Sequence, residues 1–385
     1  MSRKYECVIV RHHTAGARFM GVGGSEYTAL EVAVGLAKHG FEVFLQGIEL
    51  SKPEKLVKLA KFYGIPKEDL RGIGIGSSNK HNKCIVFNTS GDMLSGSSHI
   101  IYFHFPSIIH PQIYYPGIKG LMKLGGTIYS LINFVLSPIF MRKVMLMIAN
   151  STLTANFIKN IYGVEPVVVY PPVNIKGIVD QPILPRAKRE KYFLVISRIS
   201  YEKQPHRILI LSSILKKLGL HGWKILLVGA RGRFSERIIK EIYEKASLKG
   251  LDKYFDIKVN VGRNELIDFL RRAYAYIHIT DREHFGISVV EAMAAGTPVI
   301  VPKSSGSWID VVNMDNNYGL GYSDYFELEN CIKKIVNDEN MWIKLSRNAR
   351  RRAKRFSRDR FHKEISKYTE LVISKLTGDE ERLRT

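Results

Sequence analysis

The chain has 385 residues, of which 45% are hydrophobic and 24% charged, a composition that argues against wholesale disorder and supports two buried cores. Its 58 lysines and arginines against 36 aspartates and glutamates give a net charge of +22, which favours anionic partners such as phosphates, nucleic acid or an acidic membrane surface. Cys7, Cys84 and Cys331 lie far apart without a Cys-x-x-Cys pair, so we expect neither a disulfide framework nor a structural zinc site, and a reducing compartment fits.

Short apolar runs alternate with longer amphipathic stretches, a pattern that predicts βα units and a parallel sheet. The first strand is predicted at 7–10, in a region whose apolar run is too short for a signal peptide. A glycine-rich turn at 21–24 precedes a helix predicted over 25–38, which Gly40 ends. No helix promptly follows the glycines of 72–76, so we predict a flexible turn there. Further strands of the first half are predicted at 42–45, 83–87, 100–103, 144–148 and 167–170.

The segment Leu124–Met141 carries no formal charge and is flanked by Lys119 and Lys123 on one side and Arg142 and Lys143 on the other. Its length reaches the lower limit for a membrane span, although its internal glycines and proline weaken a spanning helix. Three interpretations remain open: a membrane span, an interfacial membrane contact and a buried core helix. The basic flanks would suit anionic headgroups.

Tandem prolines at 171–172 cannot continue a strand ladder or a helix, so we place a domain boundary after residue 173. The alternation then restarts, with helices predicted at 205–218, 233–245 and 264–274, the last capped by Asn264. Strands of this half are predicted at 192–197, 224–228, 257–259, 276–279 and 298–301. Two consecutive doubly wound α/β halves indicate a two-lobed enzyme with a cleft, and ligands of such sheets bind at the carboxyl ends of the strands.

The sharpest motif places Glu283 in a loop after a strand and Glu291 one turn inside the helix that follows. Phe285, Gly286 and Ile287 then lie at the helix N-terminus, where free backbone N–H groups attract anions such as phosphate. Each glutamate could accept hydrogen bonds from two sugar hydroxyls. An ordinary strand–loop–helix with capping or solvent-exposed glutamates would give the same spacing.

A second motif places Arg198 and Lys203 directly after a predicted strand, five residues apart across a tight turn. The planar fork of arginine and the compact charge of lysine can both hold a diphosphate. The alternative is that Arg198 and Lys203 are ordinary surface residues, which are common in a chain with this net charge.

The stretch EHFGISVVEAMAAGTPVIV, which begins at Glu283, resembles the E-x(7)-E motif of the retaining glycosyltransferases of family 4. The resemblance implies a GT-B fold of two Rossmann-like doubly wound domains facing a cleft, with a nucleotide-sugar donor on the C-terminal lobe. It implies that Glu283 faces the transferred sugar, that Glu291 holds the nucleotide ribose, and that Arg198 and Lys203 bind the donor diphosphate. It further implies same-face attack, in which the leaving phosphate takes the acceptor proton, and no cofactor.

Two features of the first half fit the same family. The family has a Gly-Gly turn that closes over the donor, which assigns donor binding to Gly23 and Gly24, and a functional histidine near the donor sugar, which assigns sugar positioning to His104. Taken alone, a tight turn and a structural histidine explain these residues equally well. Family members also return a C-terminal helix to the first domain, so the domains are predicted as 1–173, 174–355 and a helix within 356–385.

Within the family, the blocks at 102–107, 149–154 and 169–174 resemble Alg11-type α-1,2-mannosyltransferases, which extend a dolichyl-diphosphate-linked oligosaccharide using GDP-mannose. The resemblance implies a GDP- or UDP-sugar donor, a lipid-linked glycan acceptor and peripheral association with the cytoplasmic face of an anionic membrane. Residues 347–363 hold nine lysines and arginines and one acid, Asp359, and are either a solvated helix face or a surface that meets anionic lipid.

Two other functions remain. A glycosyltransferase of the same fold could use a UDP-sugar and a soluble acceptor, and the net charge alone would suit a nucleic-acid-binding protein. No zinc-finger spacing, RNA-recognition signature or basic zipper supports the latter, so nucleic acid is not expected as a partner. The chain has no Asp-x-Asp and no His-Glu-x-x-His, so we predict no required metal.

Overall fold

The computed structural model describes residues 7–12, 23–47, 53–76, 83–91, 96–104, 121–232, 234–281 and 283–378. They divide into two compact units. The first comprises the described residues up to Pro172 together with those from Arg358 onward, and the second comprises Val173–Ser357. The chain thus leaves the first unit after Pro172 and returns to it after Ser357, whereas the sequence places the predicted boundaries after residues 173 and 355.

The first unit is built on a seven-stranded sheet whose strand pairs are all parallel. Its strands are β1 (Cys7–Arg11), β2 (Glu42–Gln46), β3 (Ile73–Ile75), β4 (Cys84–Asn88), β5 (Ile100–Phe103), β6 (Leu146–Ala149) and β7 (Val167–Val168). They lie in the order β3-β2-β1-β4-β5-β6-β7, so the order reverses between β1 and β4. β4 and β5 are buried along their whole length, as their continuous apolar runs require.

The second unit is built on a six-stranded sheet, again with parallel pairs throughout. Its strands are β8 (Glu190–Ile196), β9 (Lys224–Gly229), β10 (Phe255–Val259), β11 (Ala273–Ile277), β12 (Val299–Pro302) and β13 (Leu320–Tyr322). The order β10-β9-β8-β11-β12-β13 reverses between β8 and β11. The predicted α/β class with two doubly wound sheets is confirmed.

The helices between the strands cover the sheets. Those of the first unit are α1 (Gly24–Lys38), α2 (Pro53–Tyr63), α3 (Leu121–Met141) and α4 (Thr152–Tyr162). Those of the second unit are α5 (Lys176–Val179), α6 (Ile208–Lys217), α7 (Ser235–Lys249), α8 (Arg263–Arg272), α9 (Ile287–Ala294), α10 (Tyr325–Asn337) and α11 (Glu339–Ala353). The C-terminal helix α12 (Arg358–Thr377) packs against α1 and so belongs to the first unit, as predicted.

Close packing explains how α12 is attached to α1. A methyl group added at Gly35 of α1 would lie 2.8 Å from the ring of His362, so the two helix backbones approach each other closely. Glu31, also on α1, is fully buried and contacts both Arg358 and His362 of α12. Removing α12 would therefore expose the apolar face of α1 and leave a buried carboxylate without its two partners.

The expectation that no disulfide forms is wrong. Cys7 and Cys84 are joined by a disulfide, with their Cα atoms 4.5 Å apart. The two residues begin β1 and β4, which pair in a parallel register that places one directly beside the other. A separation of 77 residues hides this proximity, because the register of strands distant in sequence is not visible in local spacing. The third cysteine, Cys331, is free and buried.

The segment Leu124–Met141 lies in α3, only 17% of its residues are buried, and its mean hydropathy is 1.5. The interpretation as a buried core helix is therefore wrong. The side chains that make it apolar are largely exposed: Leu124, Ile128, Leu131, Ile132, Phe134, Val135 and Ile139. Among the described helices, it alone is long and apolar enough to cross a membrane.

Three local predictions fail for identifiable reasons. The glycine-rich run at 72–76 contains β3, an edge strand that pairs with β2, and not a flexible turn. Gly262, in an extended conformation, precedes α8, so Asn264 lies within the first helical turn and does not cap it. Ala273 and Tyr274 are strand residues, because the alternating run from 273 to 277 is buried in β11.

Candidate donor site

Residues that follow β8 and β11 form the centre of the candidate site. Arg198 and Lys203 come after β8, and Glu283 comes after β11. These strands are neighbours, and the strand order of the second sheet reverses between them. Parallel α/β sheets bind ligands in the crevice at such a point, outside the carboxyl ends of the strands.

Lys203 and Glu283 form the closest contact of the site. The Lys203 Nζ donates a hydrogen bond of 2.7 Å to Glu283 Oε2, and both side chains keep some access to solvent. Burial alone would raise the pKa of Glu283, but the charge of Lys203 and the nearby His278 and His284 hold that pKa well below its ordinary range. Glu283 is thus a carboxylate at neutral pH, positioned by a cation that the sequence assigned to the donor diphosphate.

His278 is a buried residue next to this pair, and the sequence did not reveal it. Its Nε2 is 3.7 Å from Glu283 Oε2, while its Nδ1 is 3.2 Å from the hydroxyl of Tyr276. The same hydroxyl lies 2.8 Å from the Oγ of Ser288 in α9. A buried chain of polar groups therefore connects the end of β11 to the first turn of α9. Tyr276 and His278 share one face of a strand, which is the local signal that could have revealed them.

The start of α9 lies where the sequence predicts it. Gly286 precedes the helix with φ of 99°, a conformation that L-residues rarely adopt, and Ile287 is the first helical residue. The side chain of Phe285 is buried against Phe356, so a ligand would meet only its backbone. The N–H groups of Val289 and Val290 donate to the carbonyl of Gly286, so those of Ile287 and Ser288 are the ones that the start of a helix offers to an anion.

A tight turn supports the loop that carries Glu283. The N–H of Gly306 donates to the carbonyl of Glu283 at 2.7 Å, and a methyl group at Gly306 would lie 1.8 Å from the carbonyl oxygen of His284. Glycine is therefore required at this close approach. Burial lowers the pKa of the His284 imidazole to about 4, despite the neighbouring carboxylate of Glu283.

Glu291, in α9, is held by a residue that the sequence analysis did not identify. Arg263 Nη1 lies 2.5 Å from Glu291 Oε1, and Arg263 Nη2 donates to the carbonyl of Asn174 at 3.1 Å. Arg263 begins α8, 28 residues before Glu291, so no local pattern links them. The contact fixes one oxygen of Glu291 and thereby orients its carboxylate.

The turn after β8 is shaped by backbone contacts. The carbonyl of Arg198 accepts a hydrogen bond from the N–H of Ser200, and Lys203 ends a short 3-10 turn. The hydroxyl of Thr280, beyond β11, donates to the carbonyl of Lys203 at 3.3 Å. Arg198 and Lys203 thus emerge from a turn that is tied to the loop of Glu283.

The predicted site residues of the first unit lie after β1 and β5. Gly23 precedes α1, and its N–H donates to Glu26 at 3.0 Å; Gly24 is the first residue of the helix and is exposed. Residues 21 and 22 of the predicted turn lie outside the described residues. His104 follows β5, with its ring 5.1 Å from that of Tyr102. The roles of Gly23, Gly24 and His104 stay predictions.

Within the described ranges, no group of three or more histidines, cysteines, aspartates and glutamates is arranged to hold a metal ion. At the candidate donor site Lys203 contacts Glu283, while Arg198 lies on the same turn as Lys203 and Glu291 lies on the helix that follows Glu283. This combination suits a ligand with a phosphate end and a polyhydroxylated end.

The sequence and the fold have known counterparts. The family model "Glycosyl transferases group 1" matches residues 179–354, within the second unit. The chain is 27% identical over 242 residues to the "GDP-Man:Man(3)GlcNAc(2)-PP-Dol alpha-1,2-mannosyltransferase" of Dictyostelium discoideum, an alignment that covers 60% of this chain and 48% of that protein. It is 28% identical over 225 residues to the protein of the same description from Homo sapiens, with 55% of this chain and 45% of that protein covered.

The chain thus spans about half the length of these curated relatives. Among solved structures, sucrose-phosphate synthase from Thermosynechococcus elongatus superposes with a TM-score of 0.69 at 16% identity, covering 96% of this chain and 100% of that one. That likeness concerns the fold. The predicted GT-B architecture is confirmed, and residues 179–354 match the family model of group 1 glycosyl transferases.

Proposed function

We propose that the protein is a retaining glycosyltransferase that moves mannose from GDP-mannose to a lipid-linked oligosaccharide. The observation that carries the proposal is the contact of Lys203 with Glu283 at the reversal point of a group 1 glycosyl transferase domain. The descriptions of the matched relatives, which name GDP-mannose and a dolichyl-diphosphate oligosaccharide, support this donor and this acceptor.

The chemistry follows from where charge develops. When the bond between sugar and diphosphate breaks, negative charge grows on the leaving phosphate. Arg198, Lys203 and the N–H groups at the start of α9 would stabilise that charge, and such stabilisation is usually the largest catalytic contribution. With a donor bound, Lys203 would divide its charge between the diphosphate and Glu283. The Glu283 carboxylate would then accept hydrogen bonds from the transferred sugar.

Glu291 would bind the nucleotide ribose. A carboxylate with one oxygen fixed by Arg263 can present the other to vicinal hydroxyl groups. Retention of configuration would follow from same-face attack, in which the leaving phosphate accepts the proton of the acceptor hydroxyl. No side chain is then required as general base, which agrees with a carboxylate whose pKa is lowered.

The acceptor suggests where the enzyme works. A lipid-linked glycan begins at the membrane surface, and α3 presents an exposed apolar face flanked by Arg142 and Lys143. We therefore propose that α3 lies in the interface of an anionic membrane on its cytoplasmic side.

A panel of GDP- and UDP-sugars tests the donor and the reaction. Wild-type protein should hydrolyse GDP-mannose slowly and be stabilised thermally by it, because a bound ligand raises stability by mass action. The anomeric configuration of the product tests retention. Transfer from a UDP-sugar to a soluble acceptor would replace the proposal by the alternative of the same fold, and the absence of binding by any sugar nucleotide would refute both.

Vesicle binding tests the role of α3. Replacing Leu131 and Phe134 by glutamate should abolish sedimentation with anionic vesicles, since each charge would have to enter the apolar layer. The matched control replaces Val57 and Phe62 of α2, also exposed apolar residues of the first unit, by glutamate. Equal loss of binding in the two double variants would show that net charge, and not the face of α3, determines binding.

A further inference from the structure

A basic cavity lies on the second unit, outside the candidate donor site. It has a volume of about 720 Å³, within the range of small-molecule sites. Five of its lining residues are cations: Lys344, Arg347, Arg350, Arg351 and Lys354. Its lining in the described chain contains no carboxylate, and it includes none of the residues assigned to donor binding.

The structure revises the interpretation of the basic stretch at 347–363. The stretch is not one helix face, because α11 ends at Ala353 and α12 begins at Arg358. Several of its arginines have protein partners: Arg352 donates to the carbonyl of Asp310, and Arg360 to that of Tyr170. Those residues contribute little to a basic surface.

Four of the cations that line the cavity form one row. Lys344, Arg347, Arg351 and Lys354 follow one another at intervals of three, four and three residues, which places them on one side of α11 and its end. All four are exposed, and no described carboxylate pairs with them. Like charges at this spacing repel one another, so the row is a source of strain that a bound anion would relieve.

Arg350 adds a fifth charge at the wall of the cavity. It is held by the carbonyls of Val179 and Gln181. Burial and the positive charge of Arg271 lower its pKa, and Asp180 opposes that shift only in part. Arg350 thus adds a partly buried cation to the lining of the cavity.

We propose that this cavity is a binding site for a ligand with several phosphate groups. Arginine binds phosphate with a planar fork and lysine with a compact charge, and the cavity offers both. From Lys344 to Lys354 the chain rises about 15 Å along the helix, which is longer than one phosphate group. The lining contains no aromatic side chain for base stacking, so single-stranded nucleic acid is disfavoured.

The cavity lies behind the donor-site helix. Ile183, one of its lining residues, fills the space where a methyl group at Gly296 would lie, and Gly296 follows the end of α9. Ser346 of α11 donates to the carbonyl of Gly296. An occupant would therefore contact the packing between α11 and α9 without entering the donor site. The inference does not depend on the proposed glycosyl transfer.

The test measures binding of inorganic tripolyphosphate by calorimetry to full-length protein in an Arg198→Ala, Lys203→Ala background, so that the donor cations do not contribute. Adding Arg347→Gln and Arg351→Gln should weaken binding at least tenfold. The matched control adds Lys245→Gln and Lys249→Gln, two exposed cations of α7 with the same spacing, and should change affinity less than twofold. Circular dichroism and thermal melting verify that each variant folds.

A second arm identifies the source of the phosphates. Vesicles of phosphatidylcholine, with and without a bisphosphorylated phosphatidylinositol, are sedimented with the same variants. Binding that needs the phosphoinositide and Arg347 with Arg351 assigns a lipid headgroup, whereas binding of tripolyphosphate alone assigns a soluble ligand. The proposal is overturned if neither probe binds, if both double variants lose affinity equally, or if a single-stranded oligonucleotide binds ten times tighter than tripolyphosphate.

Discussion

Glu31 and Glu283 are carboxylates with similar partners in different units, the first fully buried and the second partly exposed. Glu31 Oε1 lies 2.6 Å from Arg358 Nε, and its Oε2 lies 2.7 Å from His362 Nε2. Glu283 Oε2 lies 2.7 Å from Lys203 Nζ and 3.7 Å from His278 Nε2. The side chain of Glu31 is 0% exposed, whereas that of Glu283 is 19% exposed.

The difference separates a structural ion pair from a site that can receive a ligand. Both oxygens of Glu31 are occupied by groups of α12, so its interactions hold two helices together. Glu283 shares one oxygen between its partners and lies on a loop at the end of β11. Chemical type alone therefore does not identify a functional carboxylate; its access to solvent and its place in the sheet do.

The largest expected effect is on stability. Glu31→Ala leaves Arg358 with only its contact to Asp69 and removes the carboxylate from the buried His362, and removal of one member of a buried pair costs about 3–5 kcal/mol. Urea unfolding, followed by circular dichroism, measures the transition of the first unit. Lys38→Ala, which breaks the more exposed pair with Asp69, should cost no more than about 1 kcal/mol. An equal loss of unfolding free energy in the two variants would contradict the assignment of Glu31 as a structural carboxylate.

The second effect is on turnover. Glu283→Gln should reduce the transfer rate about 100-fold, roughly 2.7 kcal/mol, because a preorganised charge next to the reacting sugar is lost. Its unfolding free energy should change by less than about 1 kcal/mol, since Lys203 remains partly solvated. Glu241→Gln serves as control. Glu241 also pairs with a histidine, His206, but it lies on α7 and is not part of the candidate donor site. A variant at position 283 with near-normal turnover would contradict the catalytic assignment.

The third effect concerns pH. The folded protein keeps His284 neutral down to about pH 4, whereas the unfolded chain binds a proton near pH 6.5. Between these values the unfolded state binds more protons, so this residue makes stability fall as pH falls, by about 2 kcal/mol. His284→Gln should remove that part of the pH dependence. Urea titrations at pH 7 and pH 4.5 measure the change in unfolding free energy between the two pH values. An equal change in wild type and variant would show that the imidazole does not titrate as inferred.

The smallest effect is on donor affinity. Glu291→Ala should weaken GDP-mannose binding about tenfold, or 1.4 kcal/mol, because the hydrogen bonds to the ribose are lost. Arg263→Ala should weaken it less, since the carboxylate stays but loses its orientation. Calorimetry with the nucleotide sugar separates the two, and a stronger loss for Arg263→Ala would assign the primary contact to the arginine.

The part of the site that could be predicted is the part that is local in sequence. Glu283 and Glu291 are eight residues apart in one strand–loop–helix, so their placement follows from secondary structure and glycine preference. The contact of Arg263 with Glu291 and the Cys7–Cys84 disulfide were missed because each joins residues that are distant in sequence. The first depends on how two helices pack and the second on the register of two strands. β3 was missed because glycines at an edge strand resemble a turn. The location of α3 could not be predicted, because its composition fits both a core helix and a surface helix. Only the exposure of its side chains in the structure distinguishes the two.

The return of α12 to the first unit also affects synthesis. β1 to β7 leave the ribosome first, but the helix that covers α1 follows the whole of Val173–Ser357. At the usual rate of translation, this delay lasts roughly 10–40 s. During that interval the nascent first unit has an uncovered apolar helix and an uncompensated Glu31, while the second unit can already fold. A chaperone that acts on ribosome-bound chains should therefore bind the earlier half and release it only after Arg358 and His362 have emerged.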